Sequence, residues 1–247
     1  MGYTIAIAGK GGIGKSTIAA LVIRILKEKK AGSVLGIDAD PNSNLGEFLG
    51  LVPAKTIGDV LDGISAGRDK IPAGMSKERY IEYAVQTIVE EGDGFDVLAM
   101  GRPEGPGCYC YVNNVLRGMT QKLIKDYDFV VIDNEAGLEH LSRKTTASAD
   151  VLLVVSDATP AGLRAAQRIA GLTHELKIKA PKKFLLVNRS SDKFVRGRLD
   201  GLEYLGEVPD DPRIERLSIA GEPLWKLKED SVAYERLKRL IATILPT

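Results

Sequence analysis

The stretch that most restricts what this chain can become is Gly9-Lys10-Gly11-Gly12-Ile13-Gly14-Lys15-Ser16-Thr17. It follows a short apolar run, Tyr3 to Ala8, and opens an amphipathic run at Ile18. A phosphate-binding loop needs this strand–loop–helix setting. Backbone N–H groups from Gly11 through Thr17 can curl around phosphate oxygens because glycine tolerates the required torsions, and the helix that follows turns its positive dipole end toward them. Lys15 supplies a point charge for the β- and γ-phosphates, and Ser16 a hydroxyl for a magnesium ion. The motif implies a nucleoside triphosphate as ligand.

The 247 residues suffice to bury one sizeable core, and we read them as a single domain over 1–247. Short continuous apolar runs predict strands buried on both sides at Tyr3–Ala8, Ser33–Ile37, Phe95–Met100, Phe129–Ile132, Val151–Val155, Lys183–Val187 and Tyr204–Val208. Between them the pattern predicts helices over Lys15–Lys29, Ser76–Glu91, Asn113–Lys125, Ala161–Leu176 and Val232–Leu245. Leu51 to Gly74 is expected to form loops with one short helix. Alternation of this kind implies an α/β fold, a mainly parallel, doubly wound sheet with helices on both faces. Ligands of such sheets gather beyond the carboxyl ends of the strands.

A net charge of +1 argues against a dedicated nucleic-acid surface, which needs clustered excess Lys and Arg. No apolar run reaches the length of a membrane span. The chain enters its first strand at once, leaving no room for a signal peptide, so a cytoplasmic address and no membrane partner are expected. Val232, Leu237, Leu240, Ile241 and Ile244 form an amphipathic C-terminal face, suited either to packing on the sheet or to a membrane surface.

Acids stand where strands end. Asp38 and Asp40 follow Ile37; such carboxylates hold magnesium, orient an attacking water, or build an Asp-Pro turn with Pro41. Asp38 is read as supporting the metal shell. Val130-Val131-Ile132-Asp133 is a strand ending in an acid, and Asp133 is expected to hold magnesium directly or through water. His140, Glu135 and Glu139 read as surface or interface groups.

The only cysteines, Cys108 and Cys110, lie in the Gly/Pro-rich stretch Gly105-Pro106-Gly107-Cys108-Tyr109-Cys110-Tyr111. They are too few and too close for a disulfide framework. Thiolates one residue apart converge on a soft metal ion but do not complete a tetrahedral site. A symmetric homodimer would bring both pairs together across its axis, giving a bridging nickel or zinc site. The other reading is a pair of structural cysteines.

Lys10, Lys15 and the glycines between them resemble the deviant Walker A family of ATPases, which includes nitrogenase iron protein and the ParA and MinD proteins. The resemblance implies ATP and ADP as ligands and a Lys10 that reaches the partner's nucleotide across a dimer interface. It also implies that Asp40 positions the hydrolytic water and that the Gly137 N–H contacts the γ-phosphate. Asn188, with Arg189 beside it, matches the family's adenine-reading asparagine, and Pro209 and Asp211 match the loop that closes over the base. Cys108-Tyr109-Cys110 with Asn113-Asn114, and the run from Asp133 to Arg143, resemble the CooC-type maturation ATPases of nickel enzymes. That narrower resemblance implies help with nickel insertion into carbon monoxide dehydrogenase or acetyl-CoA synthase. An iron–sulfur scaffold and a ParA/MinD-like positioning switch are the alternatives.

Overall fold

The computed structural model describes residues 2–40, 44–66, 71–101, 118, 122–135, 148–176, 178–190 and 199–246. Eight strands form one sheet: β1 (Tyr3–Gly9), β2 (Val34–Asp38), β3 (Glu90–Glu91), β4 (Asp96–Ala99), β5 (Phe129–Asp133), β6 (Val151–Ser156), β7 (Lys182–Ser190) and β8 (Glu203–Pro209). Their order is β3-β4-β2-β5-β1-β6-β7-β8, and every pair is parallel except the short β3–β4. The helices are α1 (Lys15–Glu28), α2 (Leu45–Leu49), α3 (Ile57–Ser65), α4 (Lys77–Thr87), α5 (Pro160–Glu175), α6 (Pro212–Ile219) and α7 (Val232–Ala242).

Alternation along β1 sorts the helices onto two faces. Ile5 and Ile7 meet α1 and α7, with Leu21, Ile25, Leu237 and Ile241 in the same apolar cluster. Ala6 and Ala8 point the other way, and these small side chains let α5 approach through Ala166 and Ile169. Beyond β5, Leu35, Ile37, Val130 and Ile132 are covered by α3 and α4 through Ile57, Leu61, Ile81 and Val85. The sheet is therefore doubly wound, as the alternating pattern implies. The apolar face of α7 is occupied, since Ala233, Tyr234, Leu237, Leu240 and Ile241 are buried. Of the two fates open to that face, the chain adopts packing. Among the described residues no helix is long and apolar enough to cross a membrane.

Besides the short α2, where no helix is expected, two elements differ from the sequence expectation. The helix expected to run to Glu91 stops at Thr87, and Glu90–Glu91 pairs antiparallel with β4. Thr87, Ile88 and Val89 are a β-branched run that disfavours helix, and Gly94 at φ 78° turns the chain back. The second is α6, absent from the sequence reading, which starts at an Asp211 cap with Pro212 in its first turn. Most of the helix expected over Asn113–Lys125 lies outside the described residues; Ile124–Asp126 forms a 3-10 turn.

Candidate functional site

β1 delivers its last residue, Gly9, to the carboxyl edge of the sheet, and α1 starts six residues later. Gly14 precedes α1 with φ 92°, a left-handed torsion that glycine adopts without penalty. A β-carbon there would also sit 2.5 Å from Asn188 Nδ2. Lys15 is 7% exposed, and its Nζ lies 3.4 Å from the Lys10 carbonyl, folding back over the loop.

A cavity of about 840 Å³ opens at this edge. Gly11, Gly12, Gly14, Lys15, Ser16 and Thr17 line one end, and Asn188, Arg189, Pro209 and Asp211 line another. Asp40, Asn44, Phe48 and Glu135 complete the wall together with α6. The loop glycines with Lys15, Ser16 and Thr17, the acid Asp40 and the base-side residues that the sequence reading singled out thus share one chamber, which Ile13, Asp38 and Asp133 do not line. Arg189 sits at φ 52° where the β7–β8 register slips. Neighbours in a regular strand face opposite sides, so this irregularity accompanies two consecutive residues in one cavity wall.

Asp38 and Asp133 are register partners at the ends of β2 and β5, and both are buried. Asp38 is fully engaged with backbone: Oδ1 accepts the Asp40 N–H at 3.1 Å and Oδ2 accepts the Leu45 N–H at 2.8 Å. Burial pushes its carboxyl up to about 6 against those two bonds. Asp38 thus ties the end of β2 to the first residue of α2. Asp133 differs, because neither of its buried carboxylate oxygens has a hydrogen-bond partner among the described residues. Burial raises it to about 7; the Ser16 hydroxyl and the Lys15 charge favour the ionised form without completing a bond, while Asp38 opposes it.

Sequence reasoning passed over Asn134. Its Nδ2 and backbone N–H both donate to the Ile7 carbonyl, at 2.8 and 3.1 Å, while its buried Oδ1 has no partner among the described residues. Asp133 and Asn134 therefore place three orphaned acceptor oxygens side by side in sequence at the end of β5. Hard divalent cations take oxygen ligands, so the Asp133 carboxylate together with the nearby Ser16 hydroxyl fits magnesium.

Asn188 Nδ2 donates to the Ile13 carbonyl at 2.9 Å, which fixes the amide and leaves Oδ1 as its acceptor end. Lys10 does not line the cavity; it is exposed and borders a neighbouring groove with Arg168, Ile169 and Leu172 of α5. Cys108, Cys110, Gly137 and His140 lie outside the described residues. Among the described residues no cluster of three or more His, Cys, Asp or Glu side chains forms a metal site.

Comparison with known proteins bears on this geometry. Residues 4–224 match the CobQ/CobB/MinD/ParA nucleotide binding domain. An uncharacterized ATP-binding protein of Methanocaldococcus jannaschii is 42% identical over 98% of this chain and 98% of its own. The carbon monoxide dehydrogenase accessory protein CooC of Rhodospirillum rubrum is 32% identical over 90% of this chain and 89% of its own. The septum site-determining protein MinD of Pyrococcus horikoshii, solved with Mg-ADP, superposes with a TM-score of 0.73 at 21% identity, covering 99% of this chain and 96% of that one. With its loop, its sheet and nearly its whole length accounted for, this chain belongs to the CobQ/CobB/MinD/ParA family of nucleotide-binding domains.

Proposed function

We propose that this chain is a magnesium-dependent ATPase that dimerises around its nucleotide and serves the assembly of a nickel enzyme. The nucleotide part rests on one observation above others: a buried Asp133 carboxylate with no hydrogen-bond partner among the described residues, close to Ser16, which lines the phosphate-loop cavity. A carboxylate kept that way costs stability unless a cation arrives. Lys15 and the loop N–H groups grip the β- and γ-phosphates, and Ser16 with Asp133 holds the magnesium ion. Magnesium, when bound, neutralises charge developing between the two phosphates. Asp40 orients the attacking water, the Gly137 N–H meets the γ-phosphate, and Lys10 of a second copy stabilises the transition state. Asn188 Oδ1 accepts from the 6-amino group of adenine, a position where guanine presents a carbonyl acceptor.

The nickel part draws on the 32% identity to CooC across 90% of the chain and on the Cys108–Cys110 spacing. Two copies bring four sulfurs to one nickel or zinc ion carried as cargo. The client is a carbon monoxide dehydrogenase or an acetyl-CoA synthase. A second reading, a MinD-like positioning switch without metal, is favoured by the MinD likeness of the fold. An iron–sulfur scaffold would use the same four sulfurs.

Elemental analysis and light scattering on the purified chain, with Mg-ATP analogue and nickel or zinc, separate these readings. Wild type should carry about one nickel or zinc ion per two chains, and a Cys108→Ser/Cys110→Ser double variant none, with nucleotide affinity intact. Unchanged metal stoichiometry in the variant would refute the cargo role. Iron and sulfide in place of nickel would turn the reading to the scaffold. ATP-dependent sedimentation with DNA or liposomes, without metal, would turn it to the switch.

A further inference from the structure

The wall of the cavity farthest from the phosphate loop is held by side chains that ligand contact does not explain. Asp211 caps α6, and its carboxylate is engaged entirely within the chain. Oδ1 accepts the Arg213 backbone N–H at 3.1 Å and Nε at 3.0 Å, while Oδ2 accepts Arg213 Nη2 at 3.0 Å and the Ser231 hydroxyl at 2.7 Å. Burial works to raise this carboxyl, and the bonds from Arg213 and Ser231 outweigh it, holding it at about 2. The same guanidinium also reaches Asp230, Nη1 to Oδ1 at 2.7 Å and Nη2 to the carbonyl at 3.1 Å. Ser231 in turn accepts the Tyr234 N–H at 3.1 Å and so caps α7.

Arg213 does not line the cavity, although Asp210, Asp211, Ile214 and Glu215 around it do. Its planar fork serves Asp211 and the start of α7 at once, a geometry that a lysine point charge does not reproduce. We propose that Arg213 is a positioning residue that fixes the base-side wall of the cavity. Affinity for the nucleobase end of the ligand then depends on it, while affinity for the phosphate chain does not. This rests on reading the cavity as a nucleotide site.

Titration calorimetry on the full chain with Mg²⁺ tests it by comparing a non-hydrolysable ATP analogue with inorganic tripolyphosphate. Arg213→Ala should weaken the analogue about tenfold and tripolyphosphate by less than about twofold. Arg213→Lys, which keeps the charge and loses the fork, should weaken the analogue about threefold, and it carries the comparison should the alanine variant not fold. Equal weakening of both ligands marks a general structural role and overturns the proposal, as does analogue affinity within about twofold of wild type in every folded variant. If the wild-type chain binds neither ligand, the nucleotide reading itself fails and the proposal goes with it.

Discussion

Asp133 is under two opposed demands. A cation at the end of β5 needs a bare carboxylate, whereas a buried bare carboxylate destabilises the fold until the cation arrives. Its folded-state value of about 7 lies above the ordinary 3.8, so the folded chain holds a proton that the unfolded chain releases. Ligand-free stability should therefore fall as pH rises from about 4 to about 7, then level off. Asp38, raised to about 6, adds to the same slope below pH 6. Asp133→Asn should flatten the upper part of that slope and raise ligand-free stability at pH 8 by about 1–3 kcal/mol, while weakening Mg-dependent nucleotide binding. Urea titrations between pH 4 and pH 8, with and without Mg-nucleotide, read both effects; a variant less stable than wild type at pH 8 would contradict the account. At this scale the sequence was legible where chemistry is local. Lys15, Ser16 and Thr17 follow their glycines without a break and line one cavity, so the spacing alone puts them together. Asn134 and Arg213 were not legible, because what defines them lies elsewhere in the chain: Ile7, 127 residues before the first, and Asp230 beyond the second. For Asp38, a strand-end acid reads the same in sequence whether it faces a metal or ties down a loop.

Among elements, α1 is braced from its far side. Arg24, 6% exposed amid an otherwise apolar helix face, donates through Nη1 to the carbonyls of Leu224 and Leu227 at 3.0 and 2.6 Å. Its Nε bonds Glu28 at 2.7 Å, and Glu28 accepts the Tyr234 hydroxyl of α7 at 2.6 Å. The Arg24 guanidinium also lies 4.3 Å from the Tyr234 ring centre. The helix that opens with Lys15 is thereby locked to the segment between α6 and α7. Arg24→Ala leaves two carbonyls and Glu28 short of a donor, and should cost about 2–4 kcal/mol in chemical denaturation. A loss under about 1 kcal/mol would show that water replaces the arginine. The strands were readable because strands covered on both faces become continuous apolar runs. The two-residue β3 was not, since Glu90 and Glu91 give no apolar signal and the strand exists only through its edge pairing with β4. The start of α6 did carry a local signal, Asp211-Pro212, but its apolar side is only Ile214 and Leu217, partly buried against the core, in a helix with no fully buried residue.

For the molecule as a whole, the open question is whether one chain holds a complete site. Seven parallel strands bring their carboxyl ends to one edge, and the cavity there contains Lys15 but not Lys10. Lys10 belongs instead to the rim of a second groove against α5, and among the described residues no acidic side chain pairs with it. On the proposed reading, a cation held outside its own chain's cavity serves another chain's, and hydrolysis is a property of the pair. Two defective variants decide the matter. A Lys10→Ala chain keeps its phosphate loop lysine but offers no trans cation; a Lys15→Ala chain cannot hold the triphosphate yet still presents Lys10. Each alone should hydrolyse ATP at least about 100-fold more slowly than wild type, with nucleotide affinity preserved only in Lys10→Ala. Mixed in equal amounts, half of the dimers contain one of each and one competent site. Turnover should then recover to about a quarter of wild type. If Lys10→Ala alone retains wild-type turnover, or an equal mixture that sedimentation shows to be dimeric recovers nothing, Lys10 does not act across the interface.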